Sequence, residues 1–268
     1  VDGSIATGAA VSVMLIRAGV SPIATLPIAF LAGALAGMVT GLLNTALGIP
    51  GILASILTQI SLYSINLNIM GKANQPVSVD NYPLVVSLRY VTDGSVSRLL
   101  FFLGMIVFLL ALIAVMYWYF GTEQGHAIRA TGCNGNMARA QGINTNFIKV
   151  LALMISNGLV GLCGALYGQF QGASDVNMGR GAIVIGLAAV IIGEVLFGKF
   201  ASKRKLAFAF TLASVILGAV IYYMVYQFVL WLKMPSEDMK LFSAIVVAIF
   251  LAIPYLKEKR TLRKGASK

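Results

Sequence analysis

Residues 121–146, GTEQGHAIRATGCNGNMARAQGINTN, hold the densest mixture of polar and charged side chains between apolar stretches. Glu123, His126, Arg129, Cys133 and Arg139 stand there among Ala, Gly and Asn. They form no nucleophile–base pair and no metal set. The chain has one histidine and two cysteines, Cys133 and Cys163, too few and too isolated for a zinc site or a disulfide framework. A second stretch, Gly193-Glu-Val-Leu-Phe-Gly198-Lys199-Phe200, nearly spells a phosphate-binding P-loop. Phe200 stands where the magnesium-binding Ser or Thr belongs, and an apolar helix rather than a strand precedes it, so no nucleotide site is expected. The chemistry on offer is therefore docking and passage. Polar, uncharged side chains inside apolar runs supply the rest: Asn44, Thr58, Gln59, Ser61, Asn66, Asn68, Ser156 and Asn157. Such groups give weak, replaceable hydrogen bonds suited to a solute path, and the competing role for each is an interhelical bond of about 0.6 kcal/mol.

The elements that must position these residues are membrane helices. Of 268 residues, 59% are hydrophobic, 28 are Gly, and only 11% are charged, against about 25% in a soluble domain. That much apolar surface must face lipid, which excludes a soluble enzyme, a disordered tail and a nucleic-acid binder. Apolar spans run over 4–16, 22–46, 50–70, 97–119, 147–167, 181–197, 206–232 and 239–255, and a crossing needs about 17–25 residues. The fold class is all-α: a polytopic helical membrane protein with about eight membrane segments, some short or broken, plus short cytoplasmic helices. The chain is one transmembrane domain over 1–268. It starts at Val1 without Met, and a further helix upstream is expected. Placing 121–149 in the cytoplasm puts thirteen of the 20 Lys and Arg on that side and seven outside, the asymmetry expected of cytoplasmic loops. The C-terminus is then cytoplasmic, and the basic tail 256–268 anchors to anionic lipid.

Three local features follow. In the cytoplasmic loop Thr122 can cap a helix over 123–131 that Gly132 ends, and Asn134 can cap a second that Gly142 ends in the left-handed conformation. Two short helices would present a rigid knob bearing Ala130, Met137, Ala138 and Ile143, with Arg129 and Arg139 beside them. Gly33, Gly37 and Gly41 share one helical face, and Gly164 and Gly168 repeat the spacing. Small residues of this kind let helices approach closely, within one chain rather than across a dimer seam. The turn Leu47-Gly48-Ile49-Pro50-Gly51 breaks two spans, and a break at membrane depth lines a watery path or is buried. Thr58 and Gln59 follow it. Outside, the 71–96 loop carries Pro76, Pro83 and Gly94 and is read as a structured loop.

The run AIRATGCNGNMARAQGIN, with FIKVLALMISNGLVGLCGAL after it, resembles the cytoplasmic coupling segment of ABC-importer permeases, in particular the branched-chain amino acid and ribose-type family. AGMVTGLLNTALGIPGILASILTQISLY resembles that family's segment before its long outer loop, and VDGSIATGAA resembles a subgroup that handles amino acids and other small solutes. The resemblance implies that Glu123, Arg129, Gly132, Asn134, Ala138, Arg139, Gly142 and Ile143 couple to the ATPase. It implies two cytoplasmic ABC ATPase subunits carrying ATP and Mg, an extracellular or periplasmic solute-binding protein, and a second permease subunit, here a homodimer. The chain itself then has no cofactor and no enzymatic role, and sits in the bacterial plasma (inner) membrane. It imports a small solute by alternating access: an amino acid first, an aromatic one among the choices, with sugar or nucleoside behind. The path residues are Asn44, Thr58, Gln59, Asn66, Asn68 and Asn157. Glu194 departs from the family's Gly-Gly pattern and reads as an interfacial carboxylate paired with a basic neighbour such as Lys199 or the Lys203–Lys205 cluster, or as a gate or subunit contact. The alternative, an ion-gradient-driven secondary transporter or channel, needs buried ionisable residues at mid-depth.

Overall fold

The computed structural model describes residues 2–77, 84–86, 95–201 and 207–231, without the side chains of 95–98, 197–201, 207 and 228–230. Three helices open the chain: α1 Asp2–Arg17, α2 Pro22–Thr45 and α3 Gly51–Met70. After a short strand β1, Asn74–Pro76, come α4, Ser95–Phe120, two short helices α5, Glu123–Cys133, and α6, Gly135–Ala140, and then α7, Thr145–Gln171. Strand β2, Ala173–Asp175, and helices α8, Ala182–Ala201, and α9, Ala207–Trp231, complete the described chain.

Helix starts and stops follow the residues. Pro22 sits in the first turn of α2, where a missing N–H costs nothing. Gly71 closes α3 at φ +68 and Gly172 closes α7 at φ +67, the left-handed values that glycine tolerates. Among the described residues, five helices are long and apolar enough to cross a bilayer: Pro22–Thr45, Gly51–Met70, Leu99–Phe120, Thr145–Gln171 and Phe208–Gln227. Ala182–Leu196 is apolar but shorter, and α1 has 16 residues, so the count of about eight crossings is not reached among the described residues. The expected span 239–255 and the tail 256–268 lie outside them. Leu99, Leu103, Ile106, Val107 and Leu110 of α4 are all at least half exposed, as side chains facing lipid would be.

The described residues fall into two compact units, one ending at Arg180 and the other starting at Gly181. In the first, α7 is the central post against which α1 and α2 lie. Glycines set the spacing. A Cβ at Gly33 or Gly37 would come closer than 3.0 Å to carbonyls of Asn157 and Leu153, and one at Gly41 would meet Val150 at 2.9 Å. Gly164 lies as tightly against Ile5, and Gly8 against Gly161. The glycine stripes thus work within the chain, as their spacing suggested. In the second unit α8 and α9 pair through Gly193 against Ser214 and Gly218 against Ala189, with Ala188, Ile192 and Tyr222 buried between them.

Two findings differ from the sequence reading. The all-α frame carries a small antiparallel ladder, in which Asn74, Gln75 and Pro76 pair with Asp175, Ser174 and Ala173. The turn at 46–50 is not a break at depth. It joins helices of 24 and 20 residues, each long enough to span about 30 Å, so it belongs at a membrane face. There Gly48 takes φ +67, and the Asn44 amide donates to the Ile49 carbonyl at 2.8 Å.

Candidate functional site

The short helices between α4 and α7 are built by their caps. The Thr122 hydroxyl accepts from the Gly125 N–H at 3.4 Å at the start of α5. Asn134 ends α5 and begins α6, its Oδ1 accepting from the N–H groups of Asn136 and Met137, each at 3.1 Å. Gly142 takes φ +83 as expected, and Asn144 caps α7 by accepting from the Phe147 N–H. Gly132 does not end a helix, because α5 runs on through Cys133. A glycine inside a helix costs about 1 kcal/mol, and the Asn134 cap supplies the stronger stop.

Both arginines turn back onto the chain. Arg129 donates to the Phe120 carbonyl at 2.8 Å and pairs with His126 Nδ1 at 3.0 Å. Arg139 donates to Thr145 Oγ1 at 3.0 Å. The first tethers α5 to the end of α4, the second tethers α6 to the start of α7. Ala138 is buried rather than outward, so it supports the knob from beneath, and Ile143 is half-buried. The outward face is Met137, 63% exposed, with Glu123, Ala130, Gly132 and Asn134 also exposed.

The expected path residues separate into two groups. Thr58 and Asn157 are spent on packing. Thr40 donates to Thr58 at 2.9 Å and Thr58 to the Ala54 carbonyl, while Ser4 donates to Asn157 Oδ1 at 2.7 Å. Asn44 holds its turn, and Asn68 is exposed. Gln59 and Asn66, by contrast, line a cavity of about 390 Å³ with Asp2, Tyr63, Ser64, Asn177 and Arg180. Sequence reasoning did not single out Asp2 or Tyr63. The signal for the α3 wall was present: Gln59, Tyr63 and Asn66 stand at i, i+4 and i+7 in an apolar span. Because Thr58 bonds only within the protein, Thr58→Val is expected to leave transport unchanged and to cost about 0.6 kcal/mol of stability. Solute uptake and thermal unfolding in detergent measure the two.

Glu194 is exposed on α8; of its expected basic neighbours, the side chain of Lys199 and all of Lys203 to Lys205 fall outside the described residues. The P-loop likeness is excluded by shape: residues 193–200 are helical, so no loop of free N–H groups is there to cradle phosphate. Among the described residues no group of three His, Cys, Asp or Glu can hold a metal.

The architecture is that of a multi-pass helical membrane protein with a rigid pair of short helices between two of its spans. Residues 1–254 match the model of the family described as branched-chain amino acid transport system, permease component, and the chain belongs to that family of transport permease subunits. It is 39% identical over 251 residues to a tyrosine transport system permease protein of Clostridioides difficile, covering 94% of this chain and 79% of that one. An uncharacterized protein of Rickettsia prowazekii is 30% identical, with 94% and 85% covered. The autoinducer 2 import system permease protein LsrC of Yersinia pseudotuberculosis is 28% identical, with 87% and 62% covered. No solved structure matches the chain.

Proposed function

We propose that this chain is the permease of an ATP-driven importer that carries an amino acid, an aromatic one such as tyrosine first, into the cytoplasm by alternating access. An external binding protein delivers the solute near 71–77 and 168–180. Cytoplasmic ATPases, holding ATP and Mg, close on the α5–α6 knob and rock the helices, and two copies of the chain form the path. The observation that carries this reading is the double tether: Arg129 binds the knob to α4 and Arg139 binds it to α7. A push on the outward face at Met137 is thereby passed to two membrane spans at once. The tyrosine transport permease, similar over most of its length, supports the choice of solute.

Two substitutions separate docking from transmission. Met137→Asp puts a charge on the exposed face and touches no tether, so a co-purifying Walker-motif ATPase is expected to fall by more than about tenfold, as for a central contact residue. Arg139→Glu breaks the α7 tether, so the ATPase is expected to stay bound and hydrolyse ATP while solute uptake is lost. Affinity purification with mass spectrometry reads the first, and paired ATPase and uptake assays read the second. Wild-type uptake in Arg139→Glu membranes would overturn the assignment of the knob.

A further inference from the structure

The cavity beside α3 combines features that no packing role explains. Asn66 is fully buried, and neither its Oδ1 nor its Nδ2 finds a hydrogen-bond partner. Leaving both ends of a buried amide unpaired is costly, and structures keep such groups where a ligand or water completes them. Around Asn66 stand groups of both signs. Asp2 opens α1, and Arg180 follows Gly179, whose backbone lies tight against the Asp2 carbonyl. That contact brings an acidic and a basic residue from opposite ends of the unit, residues 2 and 180, to one cavity. Arg180 is exposed there. Ile56, Ile60 and Val176 supply an apolar wall, with Tyr63 and Gln59 between. From Ile56 to Asn66 the cavity follows α3 for about 15 Å at 1.5 Å per residue, about half a bilayer core. Its volume of about 390 Å³ lies within the range of small-molecule sites, roughly 300–1,000 Å³.

We infer that this cavity is a solute-reading station for a free α-amino acid. Arg180 takes the carboxylate, Asp2 takes the ammonium group, the Asn66 amide completes its bonds on the solute, and the Ile56–Ile60–Val176 wall receives an apolar or aromatic side chain. A zwitterion presents a group of opposite sign to each of the two residues, which a neutral sugar or nucleoside does at neither and a dicarboxylate or a diamine at only one. The inference rests on the proposed importer function and adds a selection step within the membrane part, beyond any selection made by an external binding protein.

The test uses the complete transporter in cells, with radiolabelled L-tyrosine as probe and tyramine and 3-(4-hydroxyphenyl)propionate, which lack the carboxylate and the amine, as competitors. Arg180→Gln, Asp2→Asn and Asn66→Leu are expected to lower uptake by more than about tenfold, with membrane abundance and ATPase binding unchanged. Asn66→Leu carries a second readout, because removing an unpaired buried amide for an apolar side chain of similar size should raise the thermal midpoint in detergent. Lost uptake in a protein of raised stability marks a ligand contact, whereas a structural residue would lose both. Neither competitor should inhibit the wild type at concentrations where unlabelled tyrosine does. Wild-type uptake in all three variants would overturn the station and leave the importer standing. A wild-type transporter that imports none of the twenty amino acids would overturn the functional reading and the station with it.

Discussion

Gly161→Leu is expected to remove the folded protein from the membrane. A Cβ at this position would lie 2.6 Å from the Ala29 carbonyl oxygen and 3.1 Å from the Gly33 Cα, and both are backbone atoms with no rotamer to yield. On its other side, the Gly161 backbone already receives Gly8 of α1. One position thus sets the spacing of three helices. Overpacking by a side chain costs about 1–3 kcal/mol where neighbours can shift, and here only whole helices can. Gly104 is the control: it sits in α4 with open space where its Cβ would be, so Gly104→Leu is expected to behave as wild type. Membrane abundance and a monodisperse peak in detergent distinguish the two. Normal levels of Gly161→Leu would mean that α1, α2 and α7 do not pack as described.

The second large effect is expected at Gln169. Its side chain is 1% exposed, and its Nε2 reaches Ser12 Oγ, the Pro22 carbonyl and Thr25 Oγ1, each at 3.2 Å. Its Oε1 accepts from the Val85 N–H at 3.2 Å. One amide therefore joins α7 to α1, to the start of α2 and to the loop after β1. Gln169→Leu keeps the volume and strands several polar atoms, for an expected loss of about 1.5–3 kcal/mol, several times that of Thr58→Val. Gln169→Glu keeps the shape and the acceptor for Val85 while removing the donors. If it is as unstable as Gln169→Leu, the donated bonds carry the stability; if it matches the wild type, the bond accepted from Val85 does.

The apolar runs were readable because a bilayer imposes length and composition on every crossing, and α2, α3, α4 and α7 fall where those runs are. The caps of the knob were readable for a local reason: Thr122, Asn134 and Gly142 act on N–H groups two or three residues away, or on their own φ. Gly132 misled because a helix tolerates a glycine when a better stop follows. What stayed hidden was non-local. Pairing of 74–76 with 173–175, the close approach of Gly179 to Asp2, and the placement of Asn157 against Ser4 each join residues about a hundred or more apart in sequence. No periodicity in either segment names its partner. The arginines of the knob were identified as residues but not as tethers, since their acceptors, a main-chain carbonyl on Phe120 and the hydroxyl of Thr145, carry no pattern of their own.

The order in which the chain is made gives the glycine contacts a temporal meaning. The faces of α1 and α2 that carry Gly8, Gly33, Gly37 and Gly41 close only on α7, whose last turn ends at Gln171. A ribosome adding about 5–20 residues per second finishes α7 roughly 6–25 s after α2. Through that interval α1 and α2 hold grooves cut for a neighbour not yet synthesised, and those grooves must rest on lipid or on an insertase. Assembly of this unit is therefore an event after insertion, and its waiting time is set by translation of the intervening α3–α6 segment. Slowing codons placed within that segment should lengthen the exposed period and, with it, the chance of premature degradation.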